Sequence, residues 1–223
     1  MDVPRSIAVV VGGGSIRTLD HRHGADGWTF DEVIAADSGL DVALAAGLQP
    51  TLVVGDLDSI SPAGLAWAAA HGIPVEPHPA DKDDTDTALA IRRAIDLGAT
   101  DLVVLGDDVT TRLDHLLGSL VCLGDPAAGG LERVGARLGA TMVHVVHAGH
   151  RVTLDLAAGE VFSLLALHGD CRGVDVTDAR WPLADASLSS GSSLGISNES
   201  LGEPVTVSVA GGVLTVIVPE AVS

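Results

Sequence analysis

Lysine occurs once, as Lys82, and every other basic side chain is an arginine; together they supply 12 cations against 30 acidic groups, for a net charge of -18 over 223 residues. So few cations argue against duplex nucleic acid as a partner, because that binding draws on many neutralised phosphates. A small phosphorylated ligand is still compatible, since a few placed cations or a metal can offset the field locally. Cysteine is nearly as scarce. Cys122 and Cys171 cannot build a disulfide framework and do not stand at metal-ligand spacing, which fits a reducing cytoplasm. Long apolar runs are missing too: none approaches the ~20 residues needed to span a bilayer. The most apolar stretch, 152–167, is interrupted by Asp155 and Glu160. The run Ile7 to Val11 is too short for a secretory core and ends in Gly12-Gly13-Gly14, so the reading is a soluble, cytoplasmic protein without a targeting segment. That glycine run lacks the third glycine of a dinucleotide fingerprint, although such a loop can bring backbone amides close to a phosphate. With 47% hydrophobic and 19% charged residues, the composition also argues against disorder.

What is present is organised around residues 52–60, Leu-Val-Val-Gly-Asp-Leu-Asp-Ser-Ile. An uncharged strand-like run ends there in a glycine and two carboxylates one residue apart. If the backbone stays extended, Asp56 and Asp58 leave on one face and can share a hard cation. The plainer alternative is a solvated turn before a helix that opens at Ser61-Pro62 with a cap and a first-turn proline. Strands are expected at 6–11, 32–36, 52–54, 73–76 and 101–105. Helices are expected from Gly39 to a C-cap at Gly47, from Pro62, through Ala88 to Ile95, and from Arg112 to about Leu138. This alternation predicts a doubly wound, mostly parallel α/β sheet whose acidic turns, at Asp37, Asp56/Asp58 and Asp107/Asp108, lie along one edge.

The segment Asp81-Lys82-Asp83-Asp84-Thr85-Asp86 puts four aspartates in six residues at a helix start. The helix dipole favours one or two of them by ~0.3–1 kcal/mol each; a bound cation would compensate the rest. After Thr141 to Val146 the texture changes to short β-rich runs at 152–156, 161–167, 205–209 and 213–218. Gly211-Gly212 reads as a tight hairpin turn between the last two. The expected division is therefore an α/β domain over 1–148 and a smaller all-β sandwich domain over 149–223.

In this order, Ala36-Asp37-Ser38-Gly39, Val54-Gly55-Asp56-Leu57-Asp58-Ser59-Ile60, Asp81 to Asp86 and Arg112-Leu113-Asp114-His115 resemble the catalytic series of thiamine pyrophosphokinases. Trp181-Pro182-Leu183 and Gly191 to Glu199 are similar to that family's thiamine-side signature. The resemblance implies diphosphoryl transfer from ATP to thiamine with release of AMP, Mg²⁺ dependence, and a homodimer with active sites between subunits. It implies metal ligands at Asp56, Asp58 and Asp86, and catalytic positions that also include Asp81, Lys82, Arg112 and Asp114. ATP would be met by Asp37, Ser38, Gly39, Thr85 and Arg112. Thiamine would be held by Trp181, Ser193, Ser197 and Asn198 of the partner subunit, with the indole of Trp181 against the cationic ligand. Two departures stand out: Ser38 replaces a glycine, and Gly106 to Arg112 is one residue longer than the family's loop and lacks its paired glycines.

Two other readings stay open on sequence alone. In a haloacid-dehalogenase-like phosphatase, Asp56 would be the nucleophile and Asp58 the general acid. In a non-catalytic protein, the same pocket would bind thiamine or a nucleotide without turnover.

Overall fold

The computed structural model describes residues 4–14, 16, 30–107 and 112–219. The loop residues His21, Arg22 and His23, and Asp108 to Thr111 of the lengthened loop, lie outside them. The chain forms two compact units, one of residues 1–122 with 136–139 and one of residues 123–135 with 140–223.

In the first unit five strands pair in parallel. They are β1 (Ser6–Val10), β2 (Glu32–Ala36), β3 (Leu52–Gly55), β4 (Val75–Pro77) and β5 (Asp101–Gly106), in the order β5-β1-β2-β3-β4. β1 and β5 are buried along their whole length, so their sequences run apolar without alternating, as expected for strands covered on both faces. The order reverses across β1: the chain moves outward to β4 and returns on β1's other side as β5. Such a reversal opens a crevice at the strands' carboxyl ends.

The helices of this unit are α1 (Gly39–Ala45), α2 (Pro62–His71), α3 (Asp86–Asp96) and α4 (Leu113–Cys122). α2 starts as its sequence predicts, with Ser61 Oγ accepting from the Gly64 amide at 3.0 Å. Thr85 caps α3 in the same way, accepting from the Ala88 amide at 3.2 Å. Ala88, Ala90, Ile91 and Ala94 line the buried side of α3. α1 ends one residue early, with Gly47 taking a positive φ of 75° just beyond its cap.

The expected helix from Arg112 to Leu138 is wrong in its second half. α4 stops at Cys122, a 3-10 turn spans Pro126–Gly130, and β6 (Arg133–Leu138) follows. Gly124, Pro126 and Gly129-Gly130 interrupt helical pairing, and the apolar residues beyond them bury as a strand. Similarly, the fourth strand begins at Val75 and reaches Pro77 instead of spanning 73–76. Proline is tolerated there because β4 ends the order.

The second unit is β throughout apart from that 3-10 turn. β7 (Thr141–His147), β8 (Arg151–Leu154), β9 (Val161–Leu165), β10 (Cys171–Thr177), β11 (Leu183–Leu188), β12 (Asn198–Glu199), β13 (Val205–Gly211) and β14 (Val213–Val218) pair antiparallel, as β12-β9-β14-β7 and β11-β10-β13-β8. Phe162, Leu164, Leu214 and Val216 from one set meet Val174, Val176, Val205, Val207 and Val209 from the other in one core. The sequence reading does not include β10, β11 and β12; the register of β10 against β11 shifts around Gly173, and half of β11 is exposed.

The Gly211-Gly212 hairpin is also corrected. β13 pairs with β10 and β8 while β14 pairs with β7 and β9, so the two glycines carry the chain from one sheet to the other. A Cβ on Gly212 would stand 2.5 Å from the Asp170 carbonyl oxygen. That approach, made at a φ of 93°, requires glycine.

Burial in this unit also sets a pH dependence. Desolvation, helped by the Arg133 charge, holds His144 at about 4 against an ordinary 6.5, and burial lowers His147 and His168 as well. The unfolded chain therefore takes up these protons first. Stability is retained above about pH 6.5 and falls as pH drops toward 4, with His144 alone worth on the order of 3 kcal/mol. Urea midpoints should be flat near neutrality and decline below it, and His144→Gln should flatten the decline; an unchanged slope in that variant would contradict the assignment.

Candidate active site

The turns after β2 and β3 bring three carboxylates together. Asp37, Asp56 and Asp58 each offer an oxygen within 4.8 Å of the other two. Local backbone geometry makes this convergence possible. Asp37 and Leu57 take positive φ values of 46° and 67°, and Gly55 sits at 149°. A Cβ on Gly55 would press to 3.1 Å against both Asp37 Cβ and Asp86 Oδ1, so glycine lets the acidic turns close. Of the two readings of this stretch, extended or turn, the backbone takes the turn, in which the Asp58 amide leans on Asp56 Oδ1 at 3.4 Å.

Lys82 is set into this cluster. Its Nζ lies 3.1 Å from Asp56 Oδ2 and 3.1 Å from Asp86 Oδ1, with its side chain and that of Asp56 each 14% exposed. Burial opposes the ammonium, but hydrogen bonding to Asp56 and Asp86 outweighs it and raises the lysine pKa. Asp56 is lowered, chiefly by its hydrogen bond from Lys82. Asp37 moves the other way: burial raises it, the Ser38 amide opposes, and the charges of Asp86, Asp56 and Asp58 add to the rise. Its Oδ1 is buried without a hydrogen-bond partner.

A buried carboxylate oxygen without a donor, facing two further carboxylates, suits a small hard cation bound through oxygen. The sequence assigned Asp37 to the nucleotide and Asp86 to the metal. The structure places Asp37 with Asp56 and Asp58, while Asp86 faces Lys82. The available signal was topological: Asp37 and Asp56 follow adjacent parallel strands.

Ser38, where the family series has glycine, is accommodated by its neighbour. A Cβ on Gly12 would fall 2.0 Å from Ser38 Oγ, so the hydroxyl fills the space left by that glycine. Gly39 packs against the Val10 carbonyl. Across the crevice, Val11, Gly12, Gly13 and Asp107 line a pocket with His115, Leu116, Ser119 and Leu138. The sequence pattern gives His115 no role of its own, and Gly12 and Gly13 form only part of a dinucleotide fingerprint; the fold brings all three to this pocket. Just before α4, Arg112 binds Asp114 in two parallel contacts, Nε to Oδ1 at 3.0 Å and Nη2 to Oδ2 at 2.8 Å. This pairing holds Asp114 at about 2 and raises Arg112. Both are exposed, as is Asp81, whereas the Thr85 hydroxyl is used in capping α3.

In the second unit, Asn198 is 5% exposed and ties down Trp181. Its Oδ1 accepts from the Trp181 amide at 3.1 Å and its Nδ2 donates to the Trp181 carbonyl at 2.8 Å. Trp181 itself is 51% exposed. Ser197 takes a φ of 61° and its amide donates to Ser163 Oγ, while the Ser193 carbonyl accepts from the Ile196 amide. The Asn198 side chain thus holds the backbone that presents Trp181.

Residues 29–131 match the family model "Thiamin pyrophosphokinase, catalytic domain", and residues 149–214 match "Thiamin pyrophosphokinase, vitamin B1 binding domain". A curated relative from Bacillus subtilis (strain 168), "Thiamine pyrophosphokinase", is 27% identical over 187 residues, covering 82% of this chain and 85% of its own. The crystal structure of thiamin pyrophosphokinase from Geobacillus thermodenitrificans superposes with a TM-score of 0.77 at 26% identity, over 97% of this chain and 99% of its own. That of thiamine pyrophosphokinase from Bacillus subtilis gives 0.80 at 24% identity, over 98% and 100%.

Asn198→Ala removes both contacts to the Trp181 backbone and leaves buried polar groups unpaired. It should destabilise the protein by about 1–3 kcal/mol in urea titration; a change below about 0.5 kcal/mol would contradict the clamp.

Proposed function

Since the chain belongs to the thiamin pyrophosphokinase family and is an enzyme of that activity, we propose how its residues divide the work. Residues 1–148 handle ATP and 149–223 hold thiamine, in a homodimer whose active sites lie between subunits. Mg²⁺ is held by Asp56 and Asp58 with Asp37, and Asp86 stands beside them. When bound, Mg²⁺ supplies charge neutralisation for the phosphates of ATP and helps orient them. The observation that carries this reading is the three-carboxylate cluster with its partnerless Asp37 oxygen.

The thiamine hydroxyl oxygen forms a bond to the β-phosphorus of ATP as the bond from that phosphorus to the bridging oxygen breaks, that oxygen leaves with AMP, and the hydroxyl proton passes to solvent. Such a transfer depends on positioning and on offsetting charge. Lys82 meets the phosphates with its ammonium. Arg112 exchanges its two contacts with Asp114 for phosphate oxygens. Asp81, Thr85, Ser38 and Gly39 border the nucleotide. Trp181, with Ser193 and Ser197, receives thiamine from the partner subunit, and Asn198 fixes the Trp181 backbone. Support for the dimer comes from exposed apolar side chains at Leu113, Leu117 and Val121 on one stripe of α4, and at Leu194, Ile196 and Leu201. The thiols of Cys122 and Cys171, neither in a disulfide, suit the cytoplasm. No described helix is long and apolar enough to cross a membrane. The family matches do not favour the phosphatase alternative.

AMP release should require thiamine and fall by about 10²-fold or more in Asp58→Ala with the circular dichroism unchanged; near-normal turnover would sink the metal assignment. A separate readout follows from Asp37. In chelator-treated protein, Asp37→Asn should raise the melting temperature by relieving repulsion, and it should lose most of the further rise that added Mg²⁺ gives the native sequence. If Mg²⁺ raised both melting temperatures equally, Asp37 would not be a ligand.

A further inference from the structure

Trp181 already has a cation on its ring. The Arg180 guanidinium lies 4.7 Å from the indole centroid, and its Nη1 donates to Glu199 Oε2 at 2.8 Å. The Arg180 amide also donates to the Glu199 carbonyl at 2.8 Å, so backbone and side chain both hold the arginine in register beside Glu199. With the Trp181 backbone fixed by Asn198, the ring is presented with Arg180 over it and Glu199 behind the guanidinium.

An indole offers a cation its electron-rich surface, and a cation already there takes part of that attraction. On the proposed reading that Trp181 receives thiamine, the incoming ligand is a second cation. If it stacks on the same surface it must displace Arg180; if it takes the opposite one it meets the guanidinium charge through the ring. Both arrangements weaken binding of a cationic ligand, and neither penalises a neutral aromatic of similar shape through charge.

We propose that Arg180, tethered by Glu199, is a specificity-determining residue that competes with the thiazolium of thiamine for Trp181 and so limits the site's affinity for cationic ligands. It acts through the ring, as a positioning residue, and takes no part in bond making. The Arg180–Glu199 pair carries no net charge, so removing the arginine both exposes the ring and leaves the Glu199 carboxylate without it.

The test is calorimetric titration of the full-length protein with thiamine and, separately, with the neutral aminopyrimidine alcohol that corresponds to one half of it. Arg180→Gln should tighten thiamine about three- to tenfold and leave the neutral compound within about twofold. The gain should shrink as salt is added, and Arg180→Lys should bind both ligands like the native sequence. An unchanged or weakened thiamine affinity in Arg180→Gln, or an equal change for both ligands, overturns the proposal. Trp181→Ala separates the two levels. If it weakens thiamine while Arg180→Gln does nothing, the competition is wrong but the stacking stands. If Trp181→Ala leaves thiamine affinity intact, the stacking itself is wrong and the competition falls with it.

Discussion

Mutual repulsion among carboxylates is the constraint around which the first unit's site is built. Oxygens of Asp37, Asp56 and Asp58 lie within 4.8 Å of one another. At an effective dielectric near 20, two full charges at such a distance repel by about 3 kcal/mol, so three ionised groups form a costly assembly. Lys82 relieves only part of it, because its ammonium reaches Asp56 and Asp86 and neither Asp37 nor Asp58. The residual strain is expressed in Asp37, which burial and three neighbouring charges push toward its neutral form. Positive φ at two non-glycine residues of these turns adds a backbone cost, of the size usually associated with functional sites. A cluster that is unfavourable in both charge and backbone makes physical sense as a place prepared for an added cation.

The parallel sheet was legible because each level of the sequence pointed the same way. Apolar strands, capped helices and acidic turns recur in a fixed alternation, and Ser61-Pro62 and Thr85 both start helices by the expected side-chain contact. The partners of Asp56 were less legible. The resemblance to the family series marked Asp86 for the metal and Asp37 for the nucleotide. What decides proximity, however, is that β2 and β3 are adjacent and end together, and pairing order cannot be read from one strand alone. The long helix was overextended for a related reason: the apolar residues of 133–138 satisfy helical periodicity as readily as strand burial, and only Gly124, Pro126 and the paired glycines at 129–130 mark the break. Gly211-Gly212 misled in the same manner. A glycine pair between two β runs signals a turn but does not say whether the runs share a sheet.

The second unit positions its aromatic by a different economy. Asn198 is buried; its carbonyl accepts from the Trp181 and Glu199 amides and its amide nitrogen donates to the Trp181 carbonyl, so the polar cost of burying it is met within the protein. The product of that arrangement is an indole left half exposed on a fixed backbone. Aromatic side chains lose little conformational freedom on binding, and fixing their backbone beforehand reduces the loss further. Sequence reading assigned Asn198 and Trp181 the same task of touching ligand. The hydrogen bonds show Asn198 holding the Trp181 backbone in place.

An acidic protein that handles an anionic co-substrate needs its charge resolved locally. At physiological ionic strength charges beyond about 8 Å are largely screened, so the net charge of -18 governs solubility and encounter more than the energetics of a seated ligand. The cations assigned to ligands by the proposed roles are few and each is already engaged: Lys82 by Asp56 and Asp86, Arg112 by Asp114, Arg180 by Glu199. Pairing holds each of them in place without making the surface basic. It also means that, on the proposed roles, every new contact they make to a ligand is made in exchange for an old one to a carboxylate. Affinity at these sites is therefore a difference between two interactions of similar kind, which favours discrimination among ligands over tight holding of any one of them.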